Sequence, residues 1–370
     1  MRYRRMPIEA ESPEEVGYER IRCNLAESSV ADRSLGELGT EGLDRLVLAY
    51  GDHRGHPGLR ELIATEAPGL EARHVLVTPG ASSALYLVAS ALLEPGDEVV
   101  VAHPNYATNV EAPRAIGAAV RYLELRHEEG WQVDPDRLAA LMSPRTRLVS
   151  LTSPHNPTGA CMDEATLRAV VRVCERSGAR LLLDETYREM AFDAPPSVAA
   201  TLSERSISVA SLSKTYGLPG LRTGWLMTHD PVLGERLLAA KELILITGSA
   251  VDEELAYRAL SRRDEWLPRI RHGIASALAT TTAWMEAQNE FEWVAPRGGV
   301  VAFPRFREPG RYDVAGFYRV LNEKLATWVG PGHWFEQPDH AFRLGFGWPT
   351  PPALAEGLAN LSRAASSARR

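Results

Sequence analysis

The chain of 370 residues is poor in cysteine, lacks long apolar runs and carries no excess of positive charge. Its three cysteines, Cys23, Cys161 and Cys174, are odd in number and form no CxxC pair, so we expect reduced thiols rather than disulfides or metal ligands. No apolar segment follows the basic start and no run of 18 apolar residues occurs, which predicts a cytoplasmic protein without a membrane partner. The formal charge of -7 argues against a nucleic-acid partner, because phosphate contacts need clustered lysine and arginine.

Motifs that define several other classes of protein are also missing. No G-x-G-x-x-G follows a predicted strand, which disfavours a dinucleotide-dependent enzyme. Residues 1–50 are too short, and of the wrong composition, for the helix-turn-helix domain of a transcriptional regulator. His53 and His56 could be taken for a metal pair, but Gly55 and Pro57 break the helix that would align them, so no metal site is predicted.

The composition is that of a globular protein, and the length of the chain predicts two domains. Hydrophobic residues make up 45% of the chain and charged residues 24%, as in ordinary soluble proteins. A chain of 370 residues is too long for one ordinary core.

From about residue 74 to residue 228, short apolar runs alternate with helical patterns. Strands are predicted over 74–78, 98–102, 119–125, 148–151, 180–183, 206–210 and 224–227, and helices over 82–93, 109–116 and 164–177. The strand runs are apolar throughout, which predicts a mostly parallel sheet covered by helices on both faces, hence an α/β fold.

The rest of the chain predicts a second, smaller part. Long helices are predicted over 230–262 and 266–289, followed by a strand at 300–303, a helix over 314–325 and a strand at 342–346, which suits an α+β domain. We therefore predict a large domain over residues 51–270 and a small domain formed by residues 1–50 and 271–370. The N-terminal segment is expected to pack on the small domain across a cleft, with both ends of the chain frayed.

Lys214 has the most informative setting, within the segment SLSKTYGLPGLRTG at residues 211–224. A lone lysine between hydroxyl-bearing residues, followed by glycines and Arg222, suits an amine held beside a phosphate-bearing aldehyde. The hydroxyls and Arg222 can reach the phosphate while the amine forms a Schiff base. The alternative is a solvated lysine in a glycine-rich turn.

Three further motifs end at strand C-termini, where open α/β sheets bind ligands. The segment TPGASS at 78–83 can bring helix N-terminal amides to an anion, although it also suits an ordinary helix cap. The segment SPHNPTG at 153–159 fixes Asn156 between two prolines, or forms a simple turn. The segment LLLDETY at 181–187 buries Asp184, whose charge needs a partner: a protonated pyridine nitrogen, a basic side chain or a metal.

Taken in order, the motifs NPTG, DETY and SLSKTYGLPGLRTG resemble those of the class I/II aminotransferases of fold type I, which use pyridoxal 5'-phosphate (PLP). The resemblance extends from Tyr50 to the segment FRLGF at 342–346. It implies a large domain with a mostly parallel seven-stranded sheet and a homodimer with shared active sites. The implied activity is transfer of the amino group of an L-amino acid to a keto acid.

The same resemblance implies how the cofactor is held. Lys214 would form the imine with PLP and move the substrate's Cα proton, while Asp184 would keep the pyridine nitrogen protonated. Asn156 and Tyr187 would hydrogen-bond the phenolic oxygen, and Asn156 would also contact the substrate. The phosphate would be held by Ala81, Ser82, Ser211, Ser213 and Arg222.

The resemblance also implies which residues contact the cofactor ring, the partner subunit and the substrate. Tyr106 would stack on the cofactor ring, although a core tyrosine is an equal alternative. Tyr50 would reach the phosphate of the partner subunit. Arg343 would bind the substrate α-carboxylate bidentately, unless it is a surface arginine on a strand. Glu27, facing the cleft, would favour a cationic substrate, whereas a solvated or capping glutamate is the more ordinary interpretation.

The reaction itself is left open by the sequence. The Lys214 loop and the segment PRGGVVAFPRF at 296–306 look like the capreomycidine-synthase branch of the family, whose members eliminate a hydroxyl from hydroxyarginine and cyclise the product. The first fifty residues do not follow that branch. We therefore predict an aminotransferase, with an elimination or cyclisation enzyme in specialised metabolism as the alternative.

Overall fold

The computed structural model describes all residues, 1–370. Its strands are β1 Cys23–Leu25, β2 Val75–Thr78, β3 Glu98–His103, β4 Ala119–Glu124, β5 Thr146–Thr152, β6 Arg180–Asp184, β7 Ser206–Ser211, β8 Gly224–Thr228, β9 Phe291–Glu292, β10 Val301–Ala302, β11 Arg305–Phe306, β12 Thr327–Pro331 and β13 Phe342–Gly345. Its α-helices are α1 Pro7–Ala10, α2 Pro13–Val16, α3 Pro57–Ala64, α4 Gly80–Leu92, α5 Ala107–Ile116, α6 Pro135–Leu141, α7 Glu164–Ser177, α8 Leu212–Thr215, α9 Pro231–Glu242, α10 Ala250–Ser261, α11 Arg263–Glu286, α12 Val314–Arg319 and α13 Pro351–Ser367.

Seven strands form one large sheet in the order β2-β8-β7-β6-β5-β3-β4. All neighbours are parallel except those of β8, which runs antiparallel to both β2 and β7. The strands are fully buried where helices cover both faces: α4, α5 and α9 contribute Leu85, Val110 and Leu237 to one apolar cluster, and α6 and α7 contribute Leu138 and Val170 to another. The predicted α/β class and the mostly parallel seven-stranded sheet are confirmed.

Side-chain caps and a left-handed glycine explain where helices α7 and α9 begin and where α7 ends. Helix α7 spans the predicted residues because the Asp163 side chain accepts a hydrogen bond from the Thr166 amide, and Gly178 ends the helix in the left-handed conformation at φ 76°. Helix α9 begins in the same way, with the Asp230 carboxylate accepting from the amides of Val232 and Leu233.

A second sheet joins the two ends of the chain. Its order is β1-β12-β13-β10, with β1 parallel to β12 and the other pairs antiparallel. The N-terminal segment therefore supplies a strand to the sheet formed by the C-terminal residues. The domain boundaries at residues 50 and 270 stay a prediction.

Several elements differ from the sequence-based expectation. The helix expected over 314–325 changes to a π-helix at Val320–Lys324, and strand β12 and helices α3, α6 and α13 were not predicted. Neither terminus is frayed, contrary to the expectation. Arg4 bonds to Glu111 at 2.5 Å, Glu11 accepts from the Trp334 indole at 2.8 Å, and the Arg370 amide donates to the Arg311 carbonyl oxygen at 2.8 Å. None of the helices is both long and apolar enough to cross a bilayer.

Candidate active site

A cavity of about 690 Å³ lies at the carboxyl ends of the large sheet's strands, below the N-terminal segment. This is the edge at which open α/β sheets bind ligands, and the volume is that of a small-molecule site. It is lined by every predicted site residue except Tyr50: Glu27, Ala81, Ser82, Tyr106, Asn156, Asp184, Tyr187, Ser211, Ser213, Lys214, Arg222 and Arg343. Tyr50 is 82% exposed and lies outside the cavity.

Asp184 is placed in the cavity by the buried strand β6, of which it is the last residue. Its Oδ1 accepts hydrogen bonds from the Thr186 amide at 3.0 Å and from the Thr186 hydroxyl at 2.6 Å. Burial raises the pKa of Asp184, while the Thr186 hydrogen bonds and the nearby Lys214 amine act in the opposite direction. The carboxylate forms no ion pair with an arginine, so its negative charge is available to a cationic ring nitrogen.

Lys214 lies in the short helix α8, which begins directly where β7 ends. Burial lowers the pKa of Lys214, the charge of Glu27 raises it, and the positive charge of Arg343 lowers it further. A depressed ammonium pKa increases the fraction of neutral amine, which is the form that attacks an aldehyde.

A compact anion cradle lies at the start of helix α4. Gly80 has φ +81°, and a Cβ there would come within 2.5 Å of the Arg222 guanidinium, so only glycine lets this arginine lie over the backbone. The helix that begins at Gly80 has 13 residues, and Ala81 and Ser82 of its first turn line the cavity together with Ser211. Amides at a helix N-terminus, hydroxyls and a guanidinium are the donors that a phosphate requires.

Tyr106 lies between this cradle and the N-terminal segment. Its hydroxyl is 3.3 Å from the Ser82 hydroxyl and 3.1 Å from Oε1 of Glu9 in α1. On the other side of the cavity the Tyr187 hydroxyl donates to the Ser28 carbonyl oxygen at 2.7 Å. Burial raises the pKa of Tyr187 to about 12, so this phenol is protonated at neutral pH and acts as a donor.

Arg343 is not a surface residue, because only 4% of it is exposed. The guanidinium donates to Asn156 Oδ1 at 3.1 Å and to the Ala26 carbonyl at 2.7 Å, while its Nε has no partner. It lies 5.2 Å from the ring centre of Phe335. A buried guanidinium with an unused donor can accommodate a carboxylate.

The sequence-based reasoning missed the part of the cavity that the N-terminal residues form. Glu9, Glu14, Tyr18 and Asp32 line it together with the predicted Glu27. Tyr18 donates to Glu27 Oε1 at 3.1 Å, so Glu27 is a wall residue of the cavity rather than a helix cap. The only available signal was the acidic character of a segment that carries no recognisable motif.

The two histidines considered as a metal pair have other partners. His53 Nδ1 lies 2.5 Å from Glu242, and His56 accepts from the Leu59 amide at the start of α3.

These residues fit PLP group by group. The cradle around Gly80 and Arg222 matches a phosphate, the Asp184 carboxylate a pyridinium nitrogen, and the Lys214 amine an aldehyde. A seven-stranded α/β sheet with this set of groups at its carboxyl edge defines a PLP-dependent enzyme of fold type I.

Comparisons with known proteins identify the family. Residues 29–360 match the sequence model of the family "Aminotransferase class I and II", so the chain belongs to that family. It is 35% identical to a capreomycidine synthase of Streptomyces vinaceus, over 93% of this chain and 90% of that protein. It is 39% identical to an arginine–pyruvate transaminase of Pseudomonas aeruginosa, over 48% of this chain and 47% of that protein.

Solved structures agree with this assignment. A PLP-dependent aminotransferase from Streptococcus suis has a TM-score of 0.91 and 28% identity, covering 100% of both chains. The PLP-dependent cyclase OrfR has a TM-score of 0.88 and 33% identity, covering 99% of this chain and 98% of that one. The predicted family, the enzyme class and the cofactor, PLP, are therefore confirmed.

Proposed function

We propose that the protein is an aminotransferase that moves the amino group of an L-amino acid with a cationic side chain to a keto acid. The observation that carries the proposal is the shared cavity, in which Lys214, Asp184 and Arg343 line one space together with the acidic residues Glu9, Glu14, Glu27 and Asp32. PLP supplies the electron sink for breaking the Cα–H bond when it is bound. The protein's own residues then decide which molecule is held and where its proton goes.

The cofactor would be held by residues that line the cavity. Lys214 would attach it and carry the Cα proton, and Asp184 would pair with the ring nitrogen. Tyr106 would stack on the ring and Asn156 would donate to the phenolic oxygen, as would Tyr187 once its hydroxyl turns from the Ser28 carbonyl oxygen. The phosphate would be bound by Ala81, Ser82, Ser211, Ser213 and Arg222.

The substrate is oriented by its two ends. Arg343 takes the α-carboxylate, since its buried guanidinium is already positioned by Asn156 and the Ala26 carbonyl. Glu27 receives the cationic side chain, supported by Glu9, Glu14 and Asp32, which line the same cavity. An opposite charge held in such a wall selects against anionic and neutral amino acids.

Tyr50 completes the site of a second subunit in this proposal, and the surface around it supports such an interface. Val47, Leu48 and Tyr50 are exposed, as are Leu243 and Ile244, with Leu243 91% accessible. Exposed apolar residues of this number are typical of an interface with another copy of the chain.

Mixed dimers test the shared site directly. Tyr50→Ala and Lys214→Ala are each expected to be nearly inactive. A co-expressed mixture should recover about a quarter of the wild-type activity, because one site in each mixed dimer then has both native residues and half of the dimers are mixed. Recovery of no activity from the mixture excludes a contribution of Tyr50 across the interface.

A second candidate function is supported by the similarity to capreomycidine synthase along almost the whole chain. In this alternative the same residues bind the amino acid, but the α-nitrogen stays on the product after elimination and ring closure.

One isotope experiment separates the two. The enzyme is incubated with PLP, pyruvate and either L-arginine or 3-hydroxy-L-arginine labelled with ¹⁵N at the α-nitrogen, and products are analysed by mass spectrometry. Transfer of ¹⁵N to alanine supports the aminotransferase. Retention of ¹⁵N in a dehydrated product of the hydroxylated substrate supports the cyclase and contradicts the leading proposal. L-Glutamate and L-leucine serve as anionic and neutral controls.

A further inference from the structure

A second cavity of about 280 Å³ lies behind the carboxyl end of β6. Asp184 lines the candidate active site, whereas its neighbours Leu183 and Glu185 line this second cavity. The alternation follows from strand geometry, in which successive side chains point to opposite faces. The remaining walls come from Arg188, Ala191 and Arg297 and from the segments 153–154, 161–164 and 193–196.

Glu185, which lines this cavity, has one buried polar atom without a partner. The residue is 3% exposed, its Oε1 accepts from the Ala199 amide at 3.3 Å, and its Oε2 has no hydrogen bond. Burial raises the pKa of Glu185 to about 7, although Arg188 and Ser208 act to lower it. Buried carboxylate oxygens without a partner are rare in proteins, since their desolvation is not compensated.

The charges around Glu185 favour a cation. Four carboxyl and two guanidinium groups line the cavity, so its formal charge is -2 when Glu185 is ionised. Arg188 donates to the Pro196 carbonyl oxygen, and Arg297 pairs with Asp193 at 2.8 Å, where both side chains are exposed. Neither arginine forms an ion pair with Glu185.

The other two carboxylates already have partners. Asp163 caps α7 through the Thr166 amide at 2.8 Å, and Glu164 accepts from the Ser197 amide at 2.6 Å. Nowhere in the chain are three His, Cys, Asp or Glu side chains grouped as metal ligands. These arrangements favour an organic cation over a divalent metal ion.

The space also fits a molecule rather than a single ion. At roughly 30 Å³ for each water, 280 Å³ holds about nine water molecules. A smaller space of about 50 Å³, which Glu185 also lines, holds only one or two water molecules.

We propose that this second cavity is a binding site for a small organic cation, an alkylammonium or guanidinium ion, with Glu185 as its counter-ion. The site goes beyond the proposed reaction and does not depend on it. Its occupation places a positive charge directly behind Asp184.

Methyl NMR of the PLP-loaded enzyme tests the site, because methionines mark both cavities. Among the seven methionines, Met162 lines the second cavity and Met6 lines the candidate active site. The enzyme, labelled with ¹³C at the methionine methyls, is titrated with methylguanidinium chloride and, separately, with n-propylammonium chloride. We expect a saturable shift of the Met162 signal with at least one of them, and none with the neutral propionamide.

Two variants locate the cation. Glu185→Gln keeps the shape of the side chain but removes its charge. It should raise the Kd obtained from the Met162 signal by about 30-fold or more. Ala194→Trp, at an exposed position of the cavity wall, should fill the cavity and abolish the shift of the Met162 signal. This variant tests the proposal if Glu185→Gln does not fold. A shift confined to Met6, an equal response to propionamide, or wild-type saturation in a folded variant overturns the proposal.

Discussion

Replacing Glu185 by glutamine should remove a pH dependence from the stability of the enzyme. Glu185 titrates near 4.5 in an unfolded chain, whereas burial raises its pKa to about 7 in the folded protein, with Arg188 and Ser208 opposing the shift and the charge of Asp184 adding to it. Between these two values the native state keeps a proton that the unfolded state has released. Stability therefore falls as pH rises through this window, because the slope follows the difference in bound protons.

The size of the effect follows from the shift. A raised pKa of about 7 against 4.5 corresponds to roughly 3 kcal/mol at about 1.4 kcal/mol per pH unit. This stabilisation of the wild type is fully present below about pH 4.5 and is lost above about pH 7. Glutamine has no proton to lose, so the variant lacks this contribution to the slope.

Urea unfolding at a series of pH values measures it. Wild type and Glu185→Gln are compared at the same protein and PLP concentrations, so that the other titrating groups cancel in the difference. The unfolding free energy of the variant minus that of the wild type should become more positive by about 3 kcal/mol between pH 4.5 and pH 7.5. A difference that stays constant within about 0.5 kcal/mol refutes the buried, proton-holding carboxyl, since distant substitutions are additive to about that level.

Three further predictions concern the candidate active site. Lys214→Ala should leave no PLP attached to the chain after borohydride reduction, and a PLP adduct found by mass spectrometry at another residue contradicts the assignment. Arg343→Met should reduce kcat/KM by about 30-fold or more, since removing one partner of a buried charge pair costs roughly 2–5 kcal/mol, while the exposed Arg20→Met serves as an unchanged control. Thr186→Ala removes the 2.6 Å hydrogen bond to Asp184 and should raise the pKa of that carboxyl group. The acid limb of the pH–kcat/KM profile should therefore move to higher pH, and an unchanged limb contradicts this role of Thr186.

The sheet and its site could be predicted because their signals are local. Apolar runs such as Leu181–Leu183 specify buried strands, and a parallel sheet brings the ends of such strands to one edge, so Asp184 and Lys214 had to lie close together. The Asp163 cap and Gly178 fixed helix α7 for the same reason.

The rest depended on contacts between residues distant in the sequence. The sequence around Thr327 does not indicate that strand β12 pairs with β1 at Cys23. The sequence around Glu9 does not indicate that its carboxylate reaches Tyr106. The DETY motif alone does not show that Glu185 Oε2 lacks a hydrogen-bond donor, because this depends on how several loops pack around the side chain. Strand pairing and desolvation of this kind are properties of the folded chain.

The pairing of β1 with β12 has a consequence for the order in which the protein matures. During translation Cys23 leaves the ribosome long before Thr327 exists, whereas all strands of the large sheet are complete by residue 228. The large sheet can thus form while synthesis continues, whereas the part of the cavity formed by the N-terminal segment can be completed only after β12 has been synthesised. A nascent or prematurely terminated chain that ends before residue 327 contains Lys214 and Asp184 but lacks β12 and Arg343, so it cannot form the complete cavity.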